Sequence, residues 1–489
     1  MELDSCTLRI GMYFGERRDL SEFPKPARGR NYCGSVIIHD FAIKSSFFKL
    51  LGACRLKKRI LLLAALLWSG LHLISCNSYN SSNNKGPTLH TRVLASQGVS
   101  SATLFGDLVF IDGANDTLAR ISPVSAGSSP GLMAISPTRN TLLAFDAATN
   151  SNTVFAVNTV TEAGISNVRL PGPTTSMVVP TAALVGYAAV PSATVNGYSF
   201  VGGVEDMNLS NGAITTTIAL TNAKTVISDG TGARLLVFND SDSVAVVSPI
   251  VAAPPVDTSC LSGTPNSVCT IVNGFDKPVY GIVSGSTAYI FNCGPECNGT
   301  QAGVAVLDLN SLTITNTIPL DAATWGFLNG STLYVAGTSP TVNDCSGQTT
   351  AATTCGRLSI VDLGSQTLTS SIAITDGTHD RMDMSVNGQL FIGSYNCTNI
   401  GNVNNPSGEV RGCLTIYNTN TASVIIPPDN GDVTGLQSFT SRDVEYVAEN
   451  GVLRVYDTTK DIVLVNDFVP QGEINIVGYV GDIKAIDFF

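Results

Sequence analysis

The chain has 489 residues, 44% of them hydrophobic and 13% charged, with 27 Lys+Arg against 38 Asp+Glu for a net charge of −11. Apolar content of this kind, rich in Val and Ile, excludes disorder for most of the length, and the scarcity of charge excludes long charged helices. An acidic chain without a clustered basic surface also argues against a nucleic-acid partner.

Arg55, Lys57, Lys58 and Arg59 form a basic cluster, and an apolar run from Ile60 to Ile74 follows it. A charged region, a short apolar region and small residues at its end describe a secretory signal peptide rather than a membrane span, since a span needs about 20 apolar residues. The run ends at Leu73-Ile74-Ser75-Cys76, which resembles the lipobox of bacterial lipoproteins. That resemblance implies that Cys76 carries a lipid thioether and becomes the mature N-terminus. Residues 56–75 are then the signal peptide. Residues 1–55 read as a mis-assigned extension, because signal peptides begin near the true start and Leu56, decoded from an alternative initiation codon, would lead directly into Lys57-Lys58-Arg59. Residues 1–75 hold 12 Lys+Arg and 6 Asp+Glu, leaving 15 and 32 in the rest, a net of −17. So acidic a remainder should not bind anionic headgroups by charge, and the lipid alone would hold it to the membrane. Residues 76–97 are expected to be the lipidated Cys and a flexible polar tether.

Beyond residue 97 the text becomes a succession of short Val/Ile/Thr-rich runs bounded by Gly, Asn, Asp and Ser, which is strand punctuation. One unit reads Gly131-Leu-Met-Ala-Ile-Ser-Pro, then Thr141-Leu-Leu-Ala-Phe-Asp, then Thr153-Val-Phe-Ala-Val-Asn, then a Thr/Val-rich run to Pro171. The phrase recurs with drift, in units that begin near residues 131, 177, 225, 279, 325, 380 and 435. Four strands per unit at such a period predict the blades of a β-propeller over residues 98–489. At Tyr334-Val335-Ala336 and Tyr446-Val447-Ala448 the wording resembles the YVTN family of β-propellers, as does the stretch from Ile111-Asp112 to Pro130. The resemblance implies the fold. It leaves function open, because the family spans surface proteins, binding scaffolds and unrelated enzymes. The ends predict closure: residues 473–489 hold about two inner strands, and residues 102–126 hold a third and an outer strand. One composite blade would leave no open edge. Seven full units and this blade make eight, or seven if the divergent unit at Met177 is miscounted.

Eight cysteines follow Cys76 and fall into local pairs: Cys260/Cys269, Cys293/Cys297, Cys345/Cys355 and Cys397/Cys413. An even count with local pairing in an exported chain argues for disulfides. Zinc sites reuse tight spacings; here most spacings are loose, so no metal is expected. Three pairs fall between second and third strands of consecutive units, so their loops should emerge side by side on one face as recognition surface. The recurrent Asp or Asn after the third strand (Asp112, Asn158, Asp308, Asp362, Asn418, Asp457) reads as turn chemistry rather than catalysis.

The densest ionisable cluster is Asp376, His379, Asp380, Arg381 and Asp383. It opens a unit, where the inner strand lines the channel, so a cation or small polar ligand is one reading. Asp380 and Asp383 lie three apart, however, on opposite faces of an unbroken strand, which favours paired surface charges. No haem-attachment, nucleophile-elbow, zincin or phosphate-loop pattern is present. Past Cys76 only Trp325 remains of two tryptophans, and only His90 and His379 of four histidines. A His-based triad or tryptophan-docked quinoprotein blades are therefore hard to assemble, and no cofactor is expected. The sequence reads as a lipid-anchored propeller of the cell envelope, at the outer membrane, cell surface or a periplasmic leaflet, binding an envelope or surface protein. The alternative is a hydrolase or lyase acting on a small molecule or glycan in the channel.

Overall fold

Within each blade, consecutive Val/Ile/Thr-rich runs pair as up-and-down antiparallel strands, most of them joined by turns too short for a parallel crossover. The computed structural model describes residues 91–98, 106–148, 150–181, 184–194, 201–249, 255–261, 268–340, 355–397, 413–427, 431–465 and 472–487. The signal segment, Cys76, the tether up to residue 90 and Cys345 lie outside the described residues.

The strands form eight separate sheets, the blades of a β-propeller. Blade 1 runs Pro130–Ile135, Thr141–Asp146, Thr153–Asn158 and Ala163–Arg169 from inner to outer strand. Blades 2 to 7 begin with inner strands Ser176–Val178, Thr225–Ser228, Pro278–Ser284, Trp325–Asn329, Thr378–Met384 and Val433–Ser438, within two residues of the starts expected from the repeat. The Met177 unit is a true blade, so the ring has eight blades.

The core is split into eight apolar clusters, one between each pair of adjacent blades. Strand alternation produces this division: in the second strand of blade 6, Leu390 and Ile392 pack toward blade 5 while Phe391 packs toward blade 7. A continuous apolar run is therefore required wherever a strand is buried on both faces. The Asp and Asn residues after third strands do cap turns. Asn158 Oδ1 accepts the N–H groups of Val160 and Thr161 at 2.9 and 3.0 Å, and Asp362 Oδ1 accepts that of Gly364 at 2.9 Å.

Closure departs from the expected division of strands. The C-terminal segment contributes one strand, Tyr479–Ala485, and the N-terminal segment contributes Arg92–Gly98, Asp107–Asp112 and an interrupted outer strand made of Thr117–Leu118 and Val124–Ser125. Glu473–Ile474, expected as an inner strand, instead pairs with the third strand of blade 7 at Leu453 and Arg454. Arg92–Gly98, assigned above to the tether, is the second strand of this closing blade, with Val93 opposite Ala485 and Gly98 opposite Tyr479. Its polar flanks hid Val93, Leu94 and Ala95, all completely buried.

Arg92 fastens the junction. Its N–H and guanidinium bond Asp487, with Nη2 to Oδ1 at 2.7 Å, and its Nη1 reaches Glu162 of blade 1 at 2.7 Å. Charge-assisted bonds of this kind contribute more than neutral ones. Arg92→Ala should lower stability by about 2 kcal/mol, read as a shift of the urea midpoint with unchanged slope. An unmoved midpoint would show that strand pairing alone holds the ring shut.

Candidate functional site

The eight inner strands surround an axial channel of 1180 Å³. Its wall is uneven. Blades 1 to 4 present mostly apolar and hydroxyl side chains, among them Met133, Val178, Thr225 and Ile282. Blade 6 contributes Asp380, Arg381 and Asp383, and the closing strand contributes Asp482 and Lys484. Between these sectors the rings of Tyr280 and Trp325 stack with centroids 3.7 Å apart and planes 17° from parallel. Tyr395 completes the lining beside Arg381.

A β-bulge assembles the charged sector. His379 pairs with Ser394 and Arg381 with Gly393, so Asp380 is the extra residue of its strand. Asp380 does pair with Arg381, but the expected unbroken strand is corrected: the bulge leaves both Asp380 and Asp383 lining the channel. Gly377, just upstream, sits at φ +97°, where a Cβ would meet the Tyr395 carbonyl at 2.6 Å. Only glycine fits that approach.

Each carboxylate is held by donors. Arg381 Nη1 bonds the Asp380 carbonyl at 2.8 Å and Oδ2 at 3.1 Å, and its Nε donates to the Thr434 carbonyl at 3.1 Å. Asp383 accepts the N–H groups of Ser438 and Met384 at 2.7 and 2.8 Å. Asp482 accepts the Met133 N–H at 2.9 Å and Lys484 Nζ at 2.7 Å, tying blade 1 to the closing strand. Burial pushes the pKa of Asp380 and Asp383 upward, against the pull of Arg381 on the first and the Ser438 N–H on the second. For Arg381 burial opposes the charge, but Asp380 and Asp482 outweigh it and hold the pKa above the ordinary value.

His379 and Asp376, the other residues of the sequence cluster, do not join this lining. Each is 2% exposed. His379 Nε2 donates to the Thr375 carbonyl at 3.0 Å, and burial lowers its pKa to about 4, so the ring is neutral at pH 7. Lys484, Asp482, Tyr280, Tyr395 and Trp325 escape the sequence reading as site residues, because they come from four blades far apart in the chain, and Arg381 enters it only as a member of the ionisable cluster. The one available signal was their position in or beside inner strands.

The second feature is a rim. Second-to-third-strand connections all leave one face of the ring, and blades 4 and 6 carry formed disulfides there, Cys293–Cys297 and Cys397–Cys413. Cys355 opens the third strand of blade 5 on the same face, while its expected partner Cys345 lies outside the described residues. The roots of these loops are joined laterally. Glu296 Oε2 accepts the Thr338 N–H at 2.7 Å, Thr338 Oγ1 donates to the Gly377 carbonyl at 2.7 Å, and Asp432 Oδ1 accepts the Asn396 N–H at 2.8 Å. These bonds run through blades 4, 5, 6 and 7 without a gap. The remaining disulfide, Cys260–Cys269, belongs to the opposite face. It pins a strap whose Val256–Asp257 segment adds a parallel fifth strand to the outer edge of blade 2, covering an otherwise open edge.

No family model matches the chain, and no curated protein matches it. Solved structures do. The dihydro-heme d1 dehydrogenase NirN, in complex with DHE, superposes with a TM-score of 0.54 at 11% identity over 82% of this chain and 76% of its own. BamB from Moraxella catarrhalis gives 0.47 at 11% identity over 76% and 92%, and the computationally designed Ika8 gives 0.47 at 9% over 74% and 96%. At these identities the likeness establishes the propeller fold alone.

Several carboxyls, Glu205, Asp206 and Glu296 among them, favour the folded state at acid pH. Burial raises Glu205 to about 7, although the Thr217 hydroxyl at 2.6 Å favours the anion. It raises Asp206 to about 6 and Glu296 to about 7 as well. The folded state therefore binds more protons than the unfolded chain between about pH 4.5 and 7, and stability falls as pH rises through that window. Glu205→Gln, at a fully buried position, should stabilise the protein at pH 8 by on the order of 3 kcal/mol and leave it unchanged at pH 4. Thermal unfolding at both values checks this; equal effects at the two would place the proton elsewhere.

Proposed function

We propose that this chain is a lipid-anchored β-propeller of the cell envelope, of the YVTN type, which presents a stapled rim to an envelope or surface protein. The observation that carries the reading is the rim itself: insertions from blades 4 to 6 on one face, two of them closed by disulfides and bonded root to root. Disulfides persist in oxidising compartments, which supports export. Loops ordered before binding lose little entropy on contact, so modest surfaces can bind tightly. Around them Asn298, Thr300, Pro340 and Asn396 are exposed and available to a partner.

Two experiments test the proposal. Metabolic labelling with a palmitate analogue should mark the chain, and Cys76→Ala should abolish the label and release the protein from membranes. Labelling that survives the substitution would overturn the anchor. Photoreactive side chains at Thr300 and Asn396 should capture one dominant envelope protein in living cells, whereas probes at Thr231, exposed on the opposite face, should not. Equal capture from both faces would remove the rim as the recognition surface.

The second reading, chemistry on a small molecule or glycan in the channel, is favoured by Asp380 and Asp383, whose pKa values burial shifts upward toward general-acid use. His379 does not support it, being buried and uncharged.

A further inference from the structure

The channel carries a surplus of hydrogen-bond donors that the rim does not use. Among the described residues no acceptor is bonded to Nη2 of Arg381, the hydroxyls of Tyr280 and Tyr395, or the Trp325 indole N–H. Lys484 Nζ spends one of its three donors on Asp482. The two tyrosines lie near enough to Arg381 to shift its titration, so guanidinium and phenols share one part of the lumen. Burial pushes Tyr280 up to about 12, which keeps its hydroxyl protonated and donating at any physiological pH. Most acceptors nearby are spent by contrast: Asp383 and Asp482 each take two or more bonds from the protein, and of Asp380 only the buried Oδ1 has no partner among the described residues.

Unused donors around a fixed guanidinium call for an anion. The lining as a whole holds four cations, Arg139, Lys224, Arg381 and Lys484, against three carboxylates, but Asp380 and Asp482 stand close enough to Arg381 to hold its charge, so a dianion placed on Arg381 would meet their repulsion. A planar monocarboxylate can place one oxygen on Nη2, the guanidinium nitrogen with no acceptor, and leaves its second oxygen for a tyrosine hydroxyl. Beside it stand the stacked rings of Tyr280 and Trp325, an apolar shelf for a flat ligand body.

We propose that the channel binds a small monocarboxylate with a flat apolar body, its carboxylate held by Arg381, Tyr280 and Tyr395 and its ring lying against Trp325. The blade 1–3 wall, with Met133, Val178 and Ile227, encloses the far side. This site is separate from the rim, and its occupancy requires no protein partner.

The chain has two tryptophans, so the full-length Trp68→Phe protein, purified in detergent, reports on Trp325 alone. Phenylacetate should quench that emission saturably. It should bind at least tenfold more tightly than 2-phenylethanol, which keeps the ring but not the charge, and than inorganic phosphate. Arg381→Gln should weaken binding at least tenfold and Tyr395→Phe about threefold. Because Arg381 also bonds the Thr434 carbonyl, its variant could unfold; Tyr395→Phe and the acid-against-alcohol comparison then decide. Absence of saturation, equal affinity for acid and alcohol, preference for phosphate, or unchanged binding in both variants would each overturn the assignment.

Discussion

Pairing between Tyr479–Ala485 and Arg92–Gly98 is the contact on which the rest of the molecule depends. A propeller has no central core; its apolar surface is divided among interfaces between neighbouring blades. Eight blades give eight interfaces only if the last meets the first, and an open ring would expose two whole sheet faces to water. Two of the clusters, those between the closing blade and blades 1 and 7, contain residues from both ends of the chain. The cost of bringing such distant segments together grows slowly with length. The gain from burying Val93, Leu94, Ala95, Val480 and Ile483 does not depend on length at all.

Closure also creates the channel and decides its character. The closing strand brings Asp482 and Lys484 beside the blade 6 charges, and the Met133 N–H of blade 1 binds Asp482. Without that seam the charged sector would lose a carboxylate and a cation together. The bulge at Asp380 has the complementary effect. It shifts the strand by one residue, turns His379 into the protein and leaves Arg381 in the lumen. A local irregularity of one residue thus separates a buried, neutral histidine from a working guanidinium.

The rim and the lumen answer to different physics. At the rim, the disulfides Cys293–Cys297 and Cys397–Cys413 and the lateral hydrogen bonds fasten the described loop roots. In the lumen, rigidity comes from the strands, and the side chains are positioned by the blades on either side. The two features share blade 6, through Gly377 at the rim and Asp380 in the lumen.

From the sequence alone, blade boundaries and turn acids were legible because both are local. Period-two apolar runs define strands, and an Asp or Asn after a strand bonds its own following backbone whatever surrounds it. The three disulfides among the described residues were legible for the same reason, their partners being close in the chain: Cys293 and Cys297 are four positions apart. Other features required the tertiary structure. The sequence could not divide the closing blade three strands to one, because Arg92–Gly98 looks polar until Tyr479–Ala485 covers it. Nor could it foresee the bulge at Asp380, which appears only in the register against Gly393. The donor cluster was the least legible feature, because Tyr280, Trp325, Arg381 and Lys484 stand on four blades. Their proximity follows from ring closure, a property of how blades pack and of no segment by itself.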